Sequence, residues 1–199
     1  MTTPVSSILL LSGREALGPV DFAARFARPG QPMEVDMGCG KGRFLLARAA
    51  AHPEVNFLGV DRLLGRLRKI DRKAQRMGLT NIRLLRFDAY YAATYLIPAG
   101  SVRAYYVFFP DPWPKVRHHR HRLFNEPFMD ALARTLVSGG FVHAATDHMP
   151  YFHEIARILT SDARFALEPA LRPSDDERTD FERLFRGARA IGRCSVRLR

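Results

Sequence analysis

The string E-V-D-M-G-C-G-K-G at positions 34–42 lies between an apolar run, Met33 to Met37, and a helical pattern, Arg43 to Ala51. A short apolar run is typical of a buried strand, and glycines after it let the backbone approach a ligand closely, because glycine has no Cβ. A dinucleotide-binding G-x-G-x-x-G loop needs glycine at position 43, and a P-loop needs Ser or Thr after Lys41. Neither residue is present, so the stretch predicts an α/β ligand-binding unit of another type.

Strand and helix patterns alternate along the rest of the chain. The predicted strands are Met33–Met37, Asn56–Val60, Ile82–Phe87, Val102–Phe109 and Phe141–Ala145, and the predicted helices are Arg43–Ala51, Leu63–Met77, Ala89–Leu96, Leu123–Leu136 and Tyr151–Thr160. Arg164–Glu168 and Ala190–Leu198 are typical of a late strand pair. This order predicts an α/β fold with a Rossmann-like, doubly wound, mostly parallel sheet and a C-terminal antiparallel hairpin. We expect a single domain over 33–199 and a short N-terminal extension over 1–32, in which Asp21 to Arg28 forms a short helix.

The composition narrows the class of protein. The chain has 199 residues and a formal net charge of +11, which favours a nucleic-acid partner, although a basic solubilising surface has the same composition. Cys39 and Cys194 are too few and too far apart for a disulfide framework, which favours a reducing compartment. No signal-peptide pattern opens the chain and no apolar run approaches the ~20 residues of a membrane span, so we expect a cytoplasmic protein with no membrane partner.

Acidic residues end or follow each of the first five predicted strands: Asp36, Asp61, Asp88, Asp111 and Asp147. The carboxyl ends of parallel strands share one edge of a doubly wound sheet, and ligands bind beyond that edge. A single aspartate at such a position is often only a helix cap. Five of them at one edge favour a binding site.

The fourth predicted strand runs into F-F-P-D-P-W-P-K at positions 108–115, followed by V-R-H-H-R-H-R at 116–122. Prolines on both sides of Asp111 fix their own φ and steer their neighbours away from helix, which predicts a rigid loop. Trp113 in this loop has a purely structural alternative, a hydrophobic lid over the core. The basic run is typical either of a solvated helix start or of a phosphate-binding surface, with Arg117, Arg120 and Arg122 as the contacts. Its histidines have no Cys or carboxylate nearby to complete a ligand set, so we expect no metal.

These motifs resemble those of known methyltransferases. The glycine string is similar to the first motif of class I methyltransferases, which use S-adenosylmethionine. F-P-D-P-W-P-K-V-R-H-H-R-H-R-L at 109–123 resembles the signature of the bacterial tRNA (guanine-N7)-methyltransferases. A-T-D at 145–147 and T-D-F-E at 179–182 follow in that family's order and at similar separations. The resemblance covers roughly positions 33–199.

The resemblance implies a set of site residues. Asp111 is implied to be catalytic and also to bind the cofactor, S-adenosylmethionine. The other implied cofactor-binding residues are Asp36, Gly38, Gly40, Gly42, Asp61 and Asp88. The implied substrate-binding residues are Lys115, Asp147, Thr179, Asp180, Phe181 and Glu182. The implied partner is tRNA, with the variable-loop guanine as the target; for the oligomeric state, a monomer and a homodimer both stay open. Family members often have Glu in place of Asp36 and Asp61, and many have a longer N-terminal arm.

The chemistry of the cofactor agrees with these positions. Its sulfonium and α-amino group are cationic, so a carboxylate such as Asp36 suits them. Asp61 at a strand end can accept hydrogen bonds from the ribose hydroxyls, and Asp88 can accept one from the adenine amino group. Guanine N7 is a neutral acceptor that needs no deprotonation, so we expect Asp111 to stabilise the developing charge or position the base. We expect Asp147 and Glu182 to hold the Watson–Crick edge.

Several alternatives stay open at this point. The first three motifs fit a methyltransferase that acts on another RNA, a protein or a small molecule, and a non-catalytic RNA-binding module on the same fold is a further possibility. A nicotinamide dehydrogenase is disfavoured by Arg43. The basic helix at 62–76 is either a second RNA-binding element or a solvated outer face. The polar segment 172–182 has the composition of a loop that orders when substrate binds.

Overall fold

The computed structural model describes residues 6–184 and 189–199, and a single eight-stranded sheet organises them. The strands are β1 (Ile8–Leu9), β2 (Met33–Met37), β3 (Asn56–Val60), β4 (Ile82–Leu85), β5 (Val102–Phe108), β6 (Leu136–Thr146), β7 (Phe165–Glu168) and β8 (Gly192–Leu198). Their order in the sheet is β1-β4-β3-β2-β5-β6-β8-β7. The pairs from β1 to β6 are parallel, and β8 pairs antiparallel with both β6 and β7. The predicted fold class is confirmed.

Helices connect the strands. They are α1 (Arg43–Ala51), α2 (Leu64–Arg76), α3 (Ala89–Tyr91, continued by a π-helix over Ala92–Leu96), α4 (Glu126–Thr135), α5 (Met149–Ser161) and α6 (Asp180–Leu184). The bounds of β2, α1 and β3 coincide with the prediction. The predicted fourth helix extends too far, because Leu136 begins β6, where it pairs with Val102 of β5. The predicted helix over Asp21–Arg28 is only a 3-10 turn, Ala23–Arg25.

Apolar side chains cover both faces of the sheet, as the near-continuous apolar strands require. On one face Val35, Tyr105 and Val142 pack with α3, α4 and α5. On the other face α1 and α2 cover β3 and β4. Phe44 of α1, together with Tyr106, forms a smaller cluster over β5 on this same side. The helices therefore sandwich the sheet and leave the strand ends at its edges.

The segment before β2 packs onto this core. β1 extends the sheet beside β4, an element that sequence patterns did not reveal. The backbone N–H of Ser7 and the hydroxyl of Ser6 donate to the Asp71 carboxylate of α2, at 2.7 and 3.0 Å. Phe22 and Phe26 are buried in the main hydrophobic cluster. Residues 6–32 thus share the interior of the fold.

The chain reverses its direction of winding at β2. From β2 it builds β3 and β4 on one side, and then it crosses back to build β5 and β6 on the other. In open α/β sheets such a switch point leaves a crevice beyond the carboxyl ends of the strands, where ligands bind. The glycine string follows β2, and Asp111 follows β5, so both lie at this crevice.

Candidate active site

The glycine loop between β2 and α1 is shaped by left-handed backbone. Gly38, Gly40 and Gly42 have φ values of 80°, 57° and 74°, which L side chains rarely adopt. At Gly42, which directly precedes α1, a Cβ would also lie 2.5 Å from Cγ1 of Ile70. The backbone N–H groups of Gly38 and Cys39 donate to the carbonyl of Val60, at 2.8 and 2.9 Å. The loop is therefore held against the end of β3, with its backbone open to a ligand.

Asp61 joins the glycine loop to the start of α2. Its carboxylate accepts hydrogen bonds from the backbone N–H of Gly40, at 3.0 Å, and of Leu63, at 2.8 Å. Arg66 lies 3.4 Å from the same carboxylate. Asp61 is buried, yet a carboxylate has about four lone-pair sites and can accept further donors. It can therefore fix the loop and bind hydroxyl groups of a ligand at the same time.

Asp36 is the most unusual carboxylate of the site. It is 5% exposed, and no described residue donates a hydrogen bond to it. Burial raises the pKa of Asp36 to about 7, and the nearby charge of Asp61 adds to the shift. A cationic ligand group would repair this deficit by favouring the charged form. The neighbouring Cys39 thiol is buried as well, which raises its pKa and leaves it a packing residue.

Asp88 fills one of the two roles considered for strand-end aspartates, that of a helix cap. It lies just beyond β4, is exposed, and caps α3 by accepting a hydrogen bond from the backbone N–H of Tyr91 at 3.1 Å. The cap uses Oδ1, and no hydrogen bond from a described residue reaches Oδ2. Asp88 is thus a helix cap with acceptor capacity to spare at the predicted adenine end of the site.

The loop that carries Asp111 has a strained backbone. Phe109 and Trp113 have φ values of 54° and 42°, and they are the two described non-glycine residues with positive φ. Such conformations cost about 1–3 kcal/mol each, persist only where the surroundings enforce them, and cluster at functional sites. The backbone N–H of Phe109 donates to the carbonyl of Ala145 at 2.7 Å, which anchors the loop to β6. Asp111 is exposed between these two positions.

The basic run after Asp111 divides into exposed and buried cations. It forms a 3-10 turn over Val116–His121, with Lys115, Arg117 and Arg120 exposed. Trp113 packs on His121, with ring centroids 5.1 Å apart, and is still 36% exposed. Within the described ranges there is no group of three or more potential metal ligands.

The prediction that Arg122 contacts phosphate is not supported by its surroundings. Arg122 is 6% exposed, its guanidinium forms an ion pair with Glu154 of α5, and it lies 4.7 Å from the ring centroid of Tyr151. Its Nε donates to the carbonyl of Pro112 at 2.9 Å. Sequence could not separate it from the exposed arginines beside it, because its partners come from α5. Arg122 ties the Asp111 loop to the fold.

The T-D-F-E segment reaches the same region. Phe181 packs against Phe109, with ring centroids 4.7 Å apart, which brings the segment to the Asp111 loop. Thr179 and Glu182 form a capping box at α6: the N–H of Thr179 donates to Glu182 at 2.8 Å, and the N–H of Glu182 donates to the Thr179 hydroxyl at 3.1 Å. Asp180 is exposed.

The two acids expected to hold the base have arginine partners. Glu182 is 3% exposed and forms an ion pair with Arg193 of β8, a residue that sequence reasoning missed. Asp147, at the end of β6, lies 2.5 Å from Nη1 of Arg189. Nη1 of Arg193 is buried and finds no acceptor among the described residues. Both acids would have to exchange partners to receive a base.

A second missed feature links the segment 172–182 to helix α1. Arg48 of α1 donates to Glu177 at 3.1 Å and to the hydroxyl of Tyr106 at 2.9 Å. The buried Glu34 accepts from that hydroxyl at 2.7 Å and pairs with Arg103. The segment 172–182 is therefore attached to α1 in this structure. No local pattern could show this, since Arg48 and Glu177 are 129 positions apart.

Comparisons with known proteins agree with this geometry. The family described as "Putative methyltransferase" matches residues 30–188. A tRNA (guanine-N(7)-)-methyltransferase of Sodalis glossinidius is 38% identical over 74% of this chain and 61% of its own, and one of Pectobacterium atrosepticum is 37% identical over 82% and 70%. The chain thus spans about three fifths of the first relative. The crystal structure of 16S rRNA methyltransferase KamB has a TM-score of 0.63 at 19% identity, covering 84% of this chain and 88% of that one, and it supports the fold alone.

Proposed function

The chain belongs to the tRNA (guanine-N7)-methyltransferase family, and we propose that it transfers the methyl group of S-adenosylmethionine to N7 of a guanine in tRNA, the variable-loop guanine by family resemblance. The observation that carries the proposal is the position of Asp111. It is exposed in a strained loop at the end of β5, and β5 is the immediate neighbour of the strand that carries the glycine loop and Asp36. This position supports Asp111 as the acid beside the point where methyl donor and acceptor would meet.

The residues at the end of β2 fit S-adenosylmethionine. Asp36 is a buried carboxylate without a hydrogen-bond donor among the described residues, and it would pair with a cationic group of the cofactor. Asp61 would accept hydrogen bonds from the ribose hydroxyls. The free oxygen of Asp88 would accept a hydrogen bond from the adenine amino group. Gly38 and Gly40 leave the backbone accessible, because a Cβ at either position would meet no atom closer than 3.8 Å. When bound, the cofactor supplies a methyl group activated by its positive sulfur.

The protein's part in the transfer is alignment and electrostatics. Guanine N7 has a free lone pair and would take up the methyl group without losing a proton, so the protein has no base to supply. Holding the reactants in line lowers the entropic part of the barrier. The base gains positive charge, and the Asp111 carboxylate stabilises that charge. Asp111 therefore acts as an electrostatic and positioning residue, with no role as a base.

The aromatic pair and the acids beside it would receive the guanine. Phe109, two positions before Asp111, packs on Phe181 with ring centroids 4.7 Å apart, and aromatic rings are side chains on which a base can stack. Asp147 would accept hydrogen bonds from the Watson–Crick edge of the guanine once its ion pair with Arg189 had opened. Because Glu182 is committed to the capping box, its first role is to order α6. Thr179 and Asp180 lie on the same segment as Phe181 and would line the entrance to the guanine site.

The exposed cations of the basic turn would hold the RNA backbone. Lys115, Arg117 and Arg120 lie next to Asp111 in sequence and are exposed, so they can reach phosphates on either side of the target base. The free thiols Cys39 and Cys194 suit a reducing, cytoplasmic setting. No helix within the described ranges is long and apolar enough to cross a bilayer.

The decisive experiment is methyl transfer from labelled S-adenosylmethionine to unmodified bulk tRNA, followed by nucleoside analysis. We expect label in 7-methylguanosine. Asp111→Asn should lower kcat at saturating cofactor by about 10²-fold or more, as removal of one electrostatic group does elsewhere. Asp130→Asn is the matched control, since Asp130 is an exposed aspartate of α4. Full turnover by Asp111→Asn would refute its central role. Cofactor binding without label in tRNA would refute the substrate.

A further inference from the structure

Positive charge is concentrated on α2 and the residue positions just before it. Positions 62–76 carry seven cationic side chains and one acidic side chain, a net of six positive charges in a chain whose net charge is +11. The acid, Asp71, is buried and accepts hydrogen bonds from Ser6 and Ser7. Its carboxylate therefore faces the N-terminal segment, and the exposed side of α2 carries no acidic residue.

The cations of α2 point away from the core. Leu67, Ile70 and Ala74 are fully buried and seat the helix on the sheet. The α2 cationic face consists of Arg68, Lys69, Arg72, Lys73 and Arg76, all exposed. At 3.6 residues per turn these five span an arc of about 140° of the helix circumference. None of the five forms an ion pair with any acid in residues 6–184 and 189–199.

This arrangement works against helix stability. Lys69 and Lys73, like Arg72 and Arg76, are four residues apart, and like charges at that spacing repel. Two other long helices, α4 and α5, mix the two signs: α4 carries Asp130 and Arg134 on its exposed positions. A row of unpaired cations that the fold itself does not use is typical of a surface that binds a polyanion.

We infer that the α2 cationic face binds the phosphate backbone of the tRNA at a distance from the target guanine; this inference rests on the proposed function. β3 and β5 are separated only by β2, so the strand ends that lead to α2 and to the Asp111 loop lie about 10 Å apart. From there α2 runs about 20 Å toward the opposite edge of the sheet. A structured RNA with one base at Asp111 can therefore extend along it.

An anionic membrane is the less favoured partner of this face. A helix that lies in a bilayer interface buries an apolar face in the lipid, and the apolar face of α2 is already buried in the protein. The exposed side offers charge alone. A polyanion with regularly spaced phosphates, which RNA provides, is the better match.

The test is binding of unmodified tRNA by fluorescence anisotropy over a series of salt concentrations, with no turnover required. The variant is Lys69→Gln, Arg72→Gln and Arg76→Gln together; Arg66 is left intact because it contacts Asp61. We expect the tRNA Kd to rise on the order of tenfold or more and the slope of log K against log salt to fall in magnitude by about two. Cofactor Kd and kcat at saturating tRNA should stay unchanged.

The matched control removes the same charge elsewhere: Arg14→Gln, Arg157→Gln and Arg199→Gln together, three exposed cations without ion pairs to described residues. This variant should bind tRNA as the wild type does. Equal weakening by both variants would show an effect of net charge alone and overturn the inference, as would no weakening by the α2 variant.

A third measurement compares the binding of the wild type and the α2 variant to anionic vesicles of phosphatidylserine. Vesicle binding lost in the α2 variant while tRNA binding is intact would reassign the face to a membrane. Failure of the proposed function is distinguishable, because tRNA binding through α2 without methyl transfer would leave this inference standing.

Discussion

Asp36→Asn should make the ligand-free protein more stable at neutral and alkaline pH while it weakens cofactor binding. The folded-state pKa of Asp36 is about 7, above the ordinary value of 3.8. The folded protein therefore holds this proton more tightly than the unfolded chain, and stability from this group is present below pH 3.8 and lost as pH rises to about 7. The difference between a pKa of 3.8 and one of about 7 corresponds to an upper bound of about 4 kcal/mol at pH 8. Asn cannot ionise and escapes this cost.

The assay is urea unfolding of both proteins at pH 4.5 and pH 8, without cofactor. We expect the stability difference in favour of Asp36→Asn to be small at the acid pH and to grow to about 2–4 kcal/mol at the alkaline pH. Calorimetry should show that the variant binds S-adenosylmethionine at least about thirtyfold more weakly, because a buried charge pair is lost.

Glu34→Gln is the matched control, since Glu34 lies on the same strand and is equally buried. Unlike Asp36 it accepts from Tyr106 and Arg103, so its replacement should destabilise the protein. Two results would refute the reasoning on Asp36: a stability difference that does not grow with pH, or a variant with ordinary cofactor affinity.

Three further outcomes follow from contacts elsewhere in the site. Arg122→Met should cost about 2 kcal/mol of stability by urea unfolding and loosen the Asp111 loop, because it removes the ion pair with the partly exposed Glu154 and the hydrogen bond to Pro112; an effect only on tRNA affinity would contradict this assignment. Gly42→Ala should cost about 2 kcal/mol or more and impair cofactor binding by calorimetry, since the new Cβ meets Ile70 at 2.5 Å on a left-handed backbone; normal stability would count against the steric argument. Arg48→Met and Glu177→Gln should show a coupling of about 1 kcal/mol in a double-mutant cycle and raise the KM for tRNA; strict additivity would disprove the link.

Local patterns carried enough information to predict the centre of the fold. The strand β2, its glycine loop and α1 form one continuous stretch in which apolar period, glycine and helix start agree, so their bounds matched. The two-residue strand β1 is too short for a periodic signal. Leu136 continues the apolar pattern of α4, yet pairing with Val102 of β5 places it in a strand. Pairing between distant segments decided these two cases.

The site residues also fall into two groups, those whose contacts are local in sequence and those whose contacts come from distant segments. Residues within one motif, such as Asp36 with Gly38 or Asp111 with Phe109, could be proposed from sequence because their neighbours along the chain are also their neighbours in space. The buried state of Arg122 depends on Glu154, and the position of Glu182 depends on Arg193. Neither partner has a recognisable spacing. Sequence can therefore propose which residue types meet at the site, while burial decides which of them are free to act.

The conformation of the loop around Asp111 depends on contacts with the rest of the protein, so the isolated loop sequence would not keep it. Phe109 and Trp113 adopt backbone angles that a free peptide would abandon, and Ala145 on β6 and Glu154 on α5 supply contacts that hold the loop in place. A synthetic peptide of positions 108–122 would therefore be an ordinary cationic coil. Grafting the motif into another scaffold would require transplanting those two supports with it.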